Sequence, residues 1–129
     1  MRVVCGALLR AGKLLATRRG PAMRHPGRWE LPGGKREPGE DDRIALAREL
    51  QEELGGELLS ARALMSYHHA YPDRALTFHV YRCRLFNPRD VRPLASQELR
   101  WVTPEELIAV DMPPGSSPIQ QRMRKYHRL

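Results

Sequence analysis

The chain has 129 residues, 41% of them hydrophobic, and a formal net charge of +7; that length builds one core with a sheet and two or three helices and leaves little for a second domain. No apolar run approaches the roughly 20 residues of a membrane span, and the two cysteines, Cys5 and Cys83, stand in no metal-ligand spacing, so membrane-embedded, zinc-ribbon and disulfide-scaffold classes are excluded. The expectation is a single domain over residues 1–129 of a cytoplasmic protein with reduced core thiols and an anionic partner, since a basic surface concentrates phosphates around itself.

Val3 to Leu9 and Lys13 to Thr17 predict two strands around the turn Ala11-Gly12, a hairpin at the start of the chain. The apolar start is followed at once by Arg10 and Lys13, with no small-residue cleavage pattern, which favours a first strand over a secretory leader. Prolines and glycines crowd residues 20–39 and predict mostly loop. A helix follows, capped by Asp41 or Asp42 and ended by Gly55-Gly56. Its apolar stripe is expected at Ile44, Ala47, Leu50 and Leu54, which would put Glu49, Glu52 and Glu53 on roughly the opposite side. Leu58 to His69 and Ala75 to Leu85 read as strands joined through Tyr71-Pro72-Asp73-Arg74. A short strand is expected at Leu99 to Val102, a helix start at Thr103-Pro104-Glu105-Glu106, and a last helix from Ser116 or Ser117 after Pro113-Pro114. His68, His69 and His79 sit at strand spacing without partnering cysteines, and strand alternation accounts for them without a metal.

Charge is distributed more tellingly than its total suggests. Residues 37–57 hold eight of the fifteen acids, Glu37, Glu40, Asp41, Asp42, Glu49, Glu52, Glu53 and Glu57, against Arg43 and Arg48 alone. A divalent cation on this acidic island, with a polyphosphate bridging it to basic surroundings, accounts for both signs at once. No continuous basic run of the nucleic-acid-arm type exists, so no stable nucleic-acid complex is expected. On a helix Glu49 and Glu53 lie one turn apart with Glu52 at i+3 from Glu49, and their oxygens could converge on a hard cation. Alone, Glu-x-x-Glu-Glu describes a solvated helix face equally well.

The longer string carries more. Gly34, five residues, Glu40, seven residues, Arg48-Glu49-Leu50, one residue, Glu52-Glu53, one residue and Gly55 together resemble the Nudix box, G-x5-E-x7-R-E-U-x-E-E-x-G-U, with U a bulky aliphatic. Gly56 departs from it, standing where an aliphatic residue is usual, and predicts a slightly looser junction into the next strand. The flanks, Arg28-Trp29-Glu30-Leu31-Pro32-Gly33-Gly34-Lys35, Tyr71-Pro72-Asp73-Arg74, Arg100-Trp101-Val102-Thr103-Pro104 and Met112-Pro113-Pro114, resemble those of MutT-like Nudix hydrolases in similar order.

That resemblance implies an α/β fold, an α/β/α sandwich around a mixed β-sheet, and a magnesium-dependent pyrophosphohydrolase, manganese being able to substitute. It implies a nucleoside triphosphate substrate, no membrane partner, and a monomer or homodimer. Glu53 would be the central metal ligand, Glu49 a ligand or general base, and Glu52 a further ligand, with the backbone carbonyl of Gly33 and the carboxylate of Glu98 completing the set. Arg48 would hold a glutamate by an ion pair, and Glu40 would serve the loop-helix geometry. Substrate contacts would come from Arg19 and Arg24 toward phosphate and from Leu31, Arg74 and Ser116 toward the base. Ser116 stands where MutT proper has an asparagine; one hydroxyl cannot reproduce a two-sided amide contact, which leaves oxidised purine and pyrimidine triphosphates both open.

Overall fold

Fork-like divergence of the first hairpin organises the molecule. The computed structural model describes residues 1–96, 98–109 and 118. Strands β1 (Arg2–Arg10) and β2 (Lys13–Arg18) pair only beside their turn, Leu9 with Leu14 and Arg10 with Lys13. Ala11 and Gly12 both take positive φ there, +50° and +76°, the two-residue geometry that matches strand twist. Beyond the turn the strands separate, and the gap is filled by two short strands where the composition predicts loop. β3 (Trp29–Glu30) lies antiparallel on β2, and β4 (Gly33–Lys35) lies antiparallel on β1. Two- and three-residue strands leave no periodicity to read, so this element was invisible to pattern.

On its other edge β1 pairs in parallel with β6 (Arg74–Leu85), and β6 pairs antiparallel with the long β5 (Leu58–Tyr71). β7 (Glu98–Val102) flanks β2, and α2 (Pro104–Ala109) follows it. The sheet is therefore mixed, with the order β3-β2-β1-β6-β5 and β4 and β7 off that path. The expected strands all form, with ends shifted by one to two residues. The segment expected to start a last helix, with Met112, Pro113, Pro114 and Ser116, lies outside the described residues.

Two apolar clusters sit on the two faces of the sheet. Val4, Leu8, Cys83 and Leu85 pack with Ala45, Leu46, Leu50 and Leu54 of helix α1 (Asp42–Leu54); Cys5, Ala7 and Val80 pack with Leu14, Ala16, Val102 and Leu107 on the other side. Both cysteines are buried and free, as expected of core thiols. Among the described residues no helix is long and apolar enough to cross a membrane.

Helix α1 starts where Asp41 accepts a hydrogen bond from the Ile44 N–H at 2.8 Å and ends at Gly55 in the left-handed region. Its rotation differs from the stripe expected. Ile44 is 55% exposed, whereas Ala45, Leu46, Leu50 and Leu54 are buried. At about 100° per residue that turns the apolar face by roughly a quarter turn, and it brings Glu49 and Glu53 inside the buried arc instead of opposite it. Gly56 is also not loose. A Cβ there would meet a Leu85 methyl at 3.1 Å, and its N–H donates to Leu50 O at 3.1 Å. Leu85 fills the volume that an aliphatic residue at 56 would take.

Candidate active site

The segment wedged into the fork places two glycines under α1. A Cβ on Gly33 would lie 2.0 Å from Val4 O, so only glycine lets this strand approach β1; a Cβ on Gly34 would lie 2.4 Å from the Glu49 carboxyl carbon, so Gly34 is the seat of that carboxylate. Gly33 N–H donates to Glu53 Oε2 at 3.1 Å. Thus two box glutamates turn inward onto the β4 backbone, the reason they occupy the helix's buried arc.

Burial raises the Glu53 carboxyl to about 8, with the neighbouring Glu49 charge adding to the rise and the Gly33 N–H opposing it. Glu49 is stabilised by Arg48, whose Nη1 donates to its Oε1 at 2.9 Å. The same guanidinium donates to both oxygens of Glu40, at 2.7 and 2.9 Å, to Lys35 O at 3.0 Å and to Glu52 at 3.4 Å. Arg48 therefore ties the loop before the helix to the helix, and its hydrogen bonds hold the Glu40 carboxyl down at about 2.

A cleft of about 350 Å³ opens from this point. Its lining brings together the acids Glu30, Glu49 and Glu53, the glycines Gly33 and Gly34, the apolar Met23, Leu31, Leu76 and Phe78, and the arginines Arg19, Arg24 and Arg74. Of the residues singled out in the sequence, Glu49, Glu53, Gly33, Arg19, Arg24, Leu31 and Arg74 thus share one cavity. Glu52 projects to solvent, its side chain 59% exposed, and Glu98 is bonded to Arg18 at 3.2 Å, away from the cleft lining. Ser116 lies outside the described residues.

Two of the arginines also have structural work. Arg19 Nη1 donates to both oxygens of Glu30, at 2.8 and 2.7 Å, and its Nε to the Arg24 carbonyl. Arg24 pairs with Asp73 at 2.8 and 3.2 Å and lies over the Tyr71 ring. Arg74 lies over the same ring from 5.8 Å, and its buried Nε has no hydrogen-bond partner. Glu30, Leu76 and Phe78 were not picked out as site residues. Strand alternation held the signal for the last two, since Arg74, Leu76 and Phe78 are successive same-face positions of β6.

The donor set suits a hard divalent cation. Glu49 and Glu53 present carboxylate oxygens beside a backbone segment at Gly33, and magnesium characteristically takes one or two carboxylates and fills its remaining positions with water and substrate phosphate oxygens. Among the described residues no three acid, histidine or cysteine side chains converge on one point.

A family model described as NUDIX domain matches residues 1–124. The CTP pyrophosphohydrolase of Escherichia coli is 33% identical over 119 residues, 92% of this chain and 87% of that protein. A Mycobacterium tuberculosis protein provisionally named 8-oxo-dGTP diphosphatase 2 is 41% identical over 117 residues, 88% of this chain and 80% of that protein. The crystal structure of a MutT protein from Methanosarcina mazei superimposes with a TM-score of 0.83 at 23% identity, covering 98% of this chain and 92% of that one, which shows a shared fold. A full-length family match, relatives named as diphosphatase and pyrophosphohydrolase, and a box whose glutamates close on the β4 glycines all agree: this chain belongs to the Nudix hydrolases, MutT-like enzymes acting on acid anhydrides.

Proposed function

We propose that this enzyme hydrolyses nucleoside or deoxynucleoside triphosphates to the monophosphate and pyrophosphate with magnesium, oxidised purine triphosphates such as 8-oxo-dGTP among them, and so cleans the nucleotide pool. The mixed lining of the cleft carries the reading: carboxylates, apolar side chains and an arginine with an unpartnered Nε share one cavity of about 350 Å³. A triphosphate with its base on Leu31 and Phe78 fits that layout. Glu53, Glu49 and the Gly33 carbonyl would hold the metal, which when bound supplies charge neutralisation to the phosphates and acidity to water. Glu49 and Glu53 orient the attacking water, Arg48 fixes Glu49, and Arg19 faces the phosphates. Water adds to the β-phosphorus, the bond from that phosphorus to the α–β bridging oxygen breaks, and the monophosphate leaves with the oxygen while one proton is released.

Pyrimidine triphosphates are the second reading. The Escherichia coli relative is named for CTP, and Ser116 lacks the amide that would pair with a purine on two sides. Pyrophosphate release should be measured over normal and oxidised NTPs and dNTPs with magnesium and with manganese, and ranked by kcat/KM. Triphosphates should lead. Turnover of ADP-ribose or a dinucleoside polyphosphate with none on any triphosphate would reject both readings. Glu53→Gln should keep the fold and lose activity by about a thousandfold or more; near-native turnover in that variant would remove Glu53 from its role.

A further inference from the structure

Far along the same face of β6 lies a second concavity, of about 440 Å³, lined by Ser60, Ala61, Arg62, Arg82 and Arg84. It shares no residue with the cleft. The register sets Arg62 directly opposite Arg82 and Ser60 directly opposite Arg84 on the paired strands β5 and β6. Cross-strand partners point to the same side, and residues 82 and 84 are two apart, so Ser60 and all three guanidinium groups share one face.

Like charges directly opposite each other on antiparallel strands destabilise the pair. Several of the protein's arginines have acid partners: Arg2 has Asp42, Arg18 has Glu98, Arg19 has Glu30, Arg24 has Asp73 and Arg48 has Glu40. Arg62, Arg82 and Arg84 have no such partner among the ion pairs and hydrogen bonds of the described residues. Directly opposed Cα atoms lie about 4.5–5.5 Å apart, and the next same-face position is about 7 Å along the strand. Three arginine side chains rooted this close together on one face can reach one compact group. A polymer-tracking groove would instead spread its charges along a line. Guanidinium matches phosphate oxygens two at a time, and the Ser60 hydroxyl adds a donor of either polarity.

We propose that Arg62, Arg82, Arg84 and Ser60 form a second anion site, separate from the catalytic cleft, that takes a small phosphate-bearing ligand: free pyrophosphate or the phosphate of a nucleotide. The site does not depend on which nucleotide the cleft hydrolyses.

The test titrates pyrophosphate into 15N-labelled protein at low salt in buffer stripped of metals, which removes the ion that would hold the anion in the cleft. Amide shifts should appear at residues 60–62 and 82–84, and the double variant Arg82→Gln/Arg84→Gln should bind at least about tenfold more weakly. That variant should keep kcat for the magnesium-loaded enzyme, and Arg82→Gln alone should melt no lower than wild type, because it relieves the repulsion from Arg62. Tighter binding of pyrophosphate than of a nucleoside monophosphate would identify the free anion as the ligand; the reverse order would identify the nucleotide; either upholds the site. Shifts confined to Gly33, Gly34 and Arg19, or equal affinity in the double variant, would overturn it. So would a clear drop in melting temperature on Arg82→Gln, which would make the arginines structural. A single-stranded oligonucleotide binding far more tightly than pyrophosphate would replace the proposal with a nucleic-acid surface.

Discussion

Gly33 and Gly34 are adjacent, yet their hydrogens face different neighbours. A methyl group at 33 would strike the β1 backbone at Val4 and Cys5, whereas at 34 it would strike only the end of the Glu49 side chain. Backbone cannot yield cheaply, but a glutamate can swing aside. Gly33→Ala should therefore cost on the order of 3 kcal/mol or more of stability, read as a fall in urea midpoint. Gly34→Ala should melt within a few degrees of wild type while losing roughly a hundredfold in kcat/KM, since the displaced carboxylate no longer sits where the chemistry needs it. If Gly34→Ala were fully active, the seat would have no part in positioning Glu49. The spacing of the box marks Gly34, Arg48, Glu49 and Glu53 in the sequence, but not this division of labour, because a close approach between residues as distant in the chain as Gly33 and Val4 leaves no local trace.

At the scale of the element, α1 shows how a functional helix misleads a periodicity argument. Leu50 and Leu54 were legible as buried, while Ile44 and Ala47 gave way to Ala45 and Leu46. Helical spacing of the apolar residues puts the stripe opposite the glutamates, where carboxylates would face water. Glu53 breaks that pattern, being taken into the helix-sheet contact by its bond to Gly33. The N-terminal end of the same helix is anchored differently. Asp42 accepts from Arg2 Nε and Nη2 at 2.7 and 2.6 Å, and from the Tyr81 hydroxyl, which pins α1 across β1 and β6. Arg2 holds the Asp42 carboxyl well below the usual carboxylate range, with Tyr81 helping and burial opposing. A carboxyl depressed in the folded state contributes stability that is fully present above its unfolded value of about 3.9 and is lost as pH falls from there toward the folded value. Asp42→Asn should thus cost about 2 kcal/mol at neutral pH, and the gap to wild type should close as unfolding is followed below about pH 4. A gap that stayed constant through the acid limb would mean that Asp42 acts by packing and not by charge.

The whole molecule sets an acidic centre in a basic surround. The acids of residues 37–57 are largely satisfied from within, Glu40 by Arg48 and Asp42 by Arg2 and Arg36, so the surplus of seven positive charges is felt mainly away from the box. Composition made that contrast readable at once; it could not show that Arg19 and Arg24, the expected phosphate contacts, already bond to Glu30 and Asp73 at the cleft. With those two arginines partly neutralised, attraction of a triphosphate owes more to the summed field than to any single contact. Such a field is screened when the Debye length shrinks from about 30 Å at 0.01 M salt to about 8 Å at 0.15 M. Over that range, at fixed saturating magnesium, kcat/KM for a nucleoside triphosphate should fall about tenfold through KM with kcat nearly constant. The exposed Arg24–Asp73 pair weakens over the same range, so the measurement should be repeated with Asp73→Ala. Steering by the whole field keeps the salt slope of wild type in that variant; a slope that vanished with Asp73 would place the effect in that one ion pair.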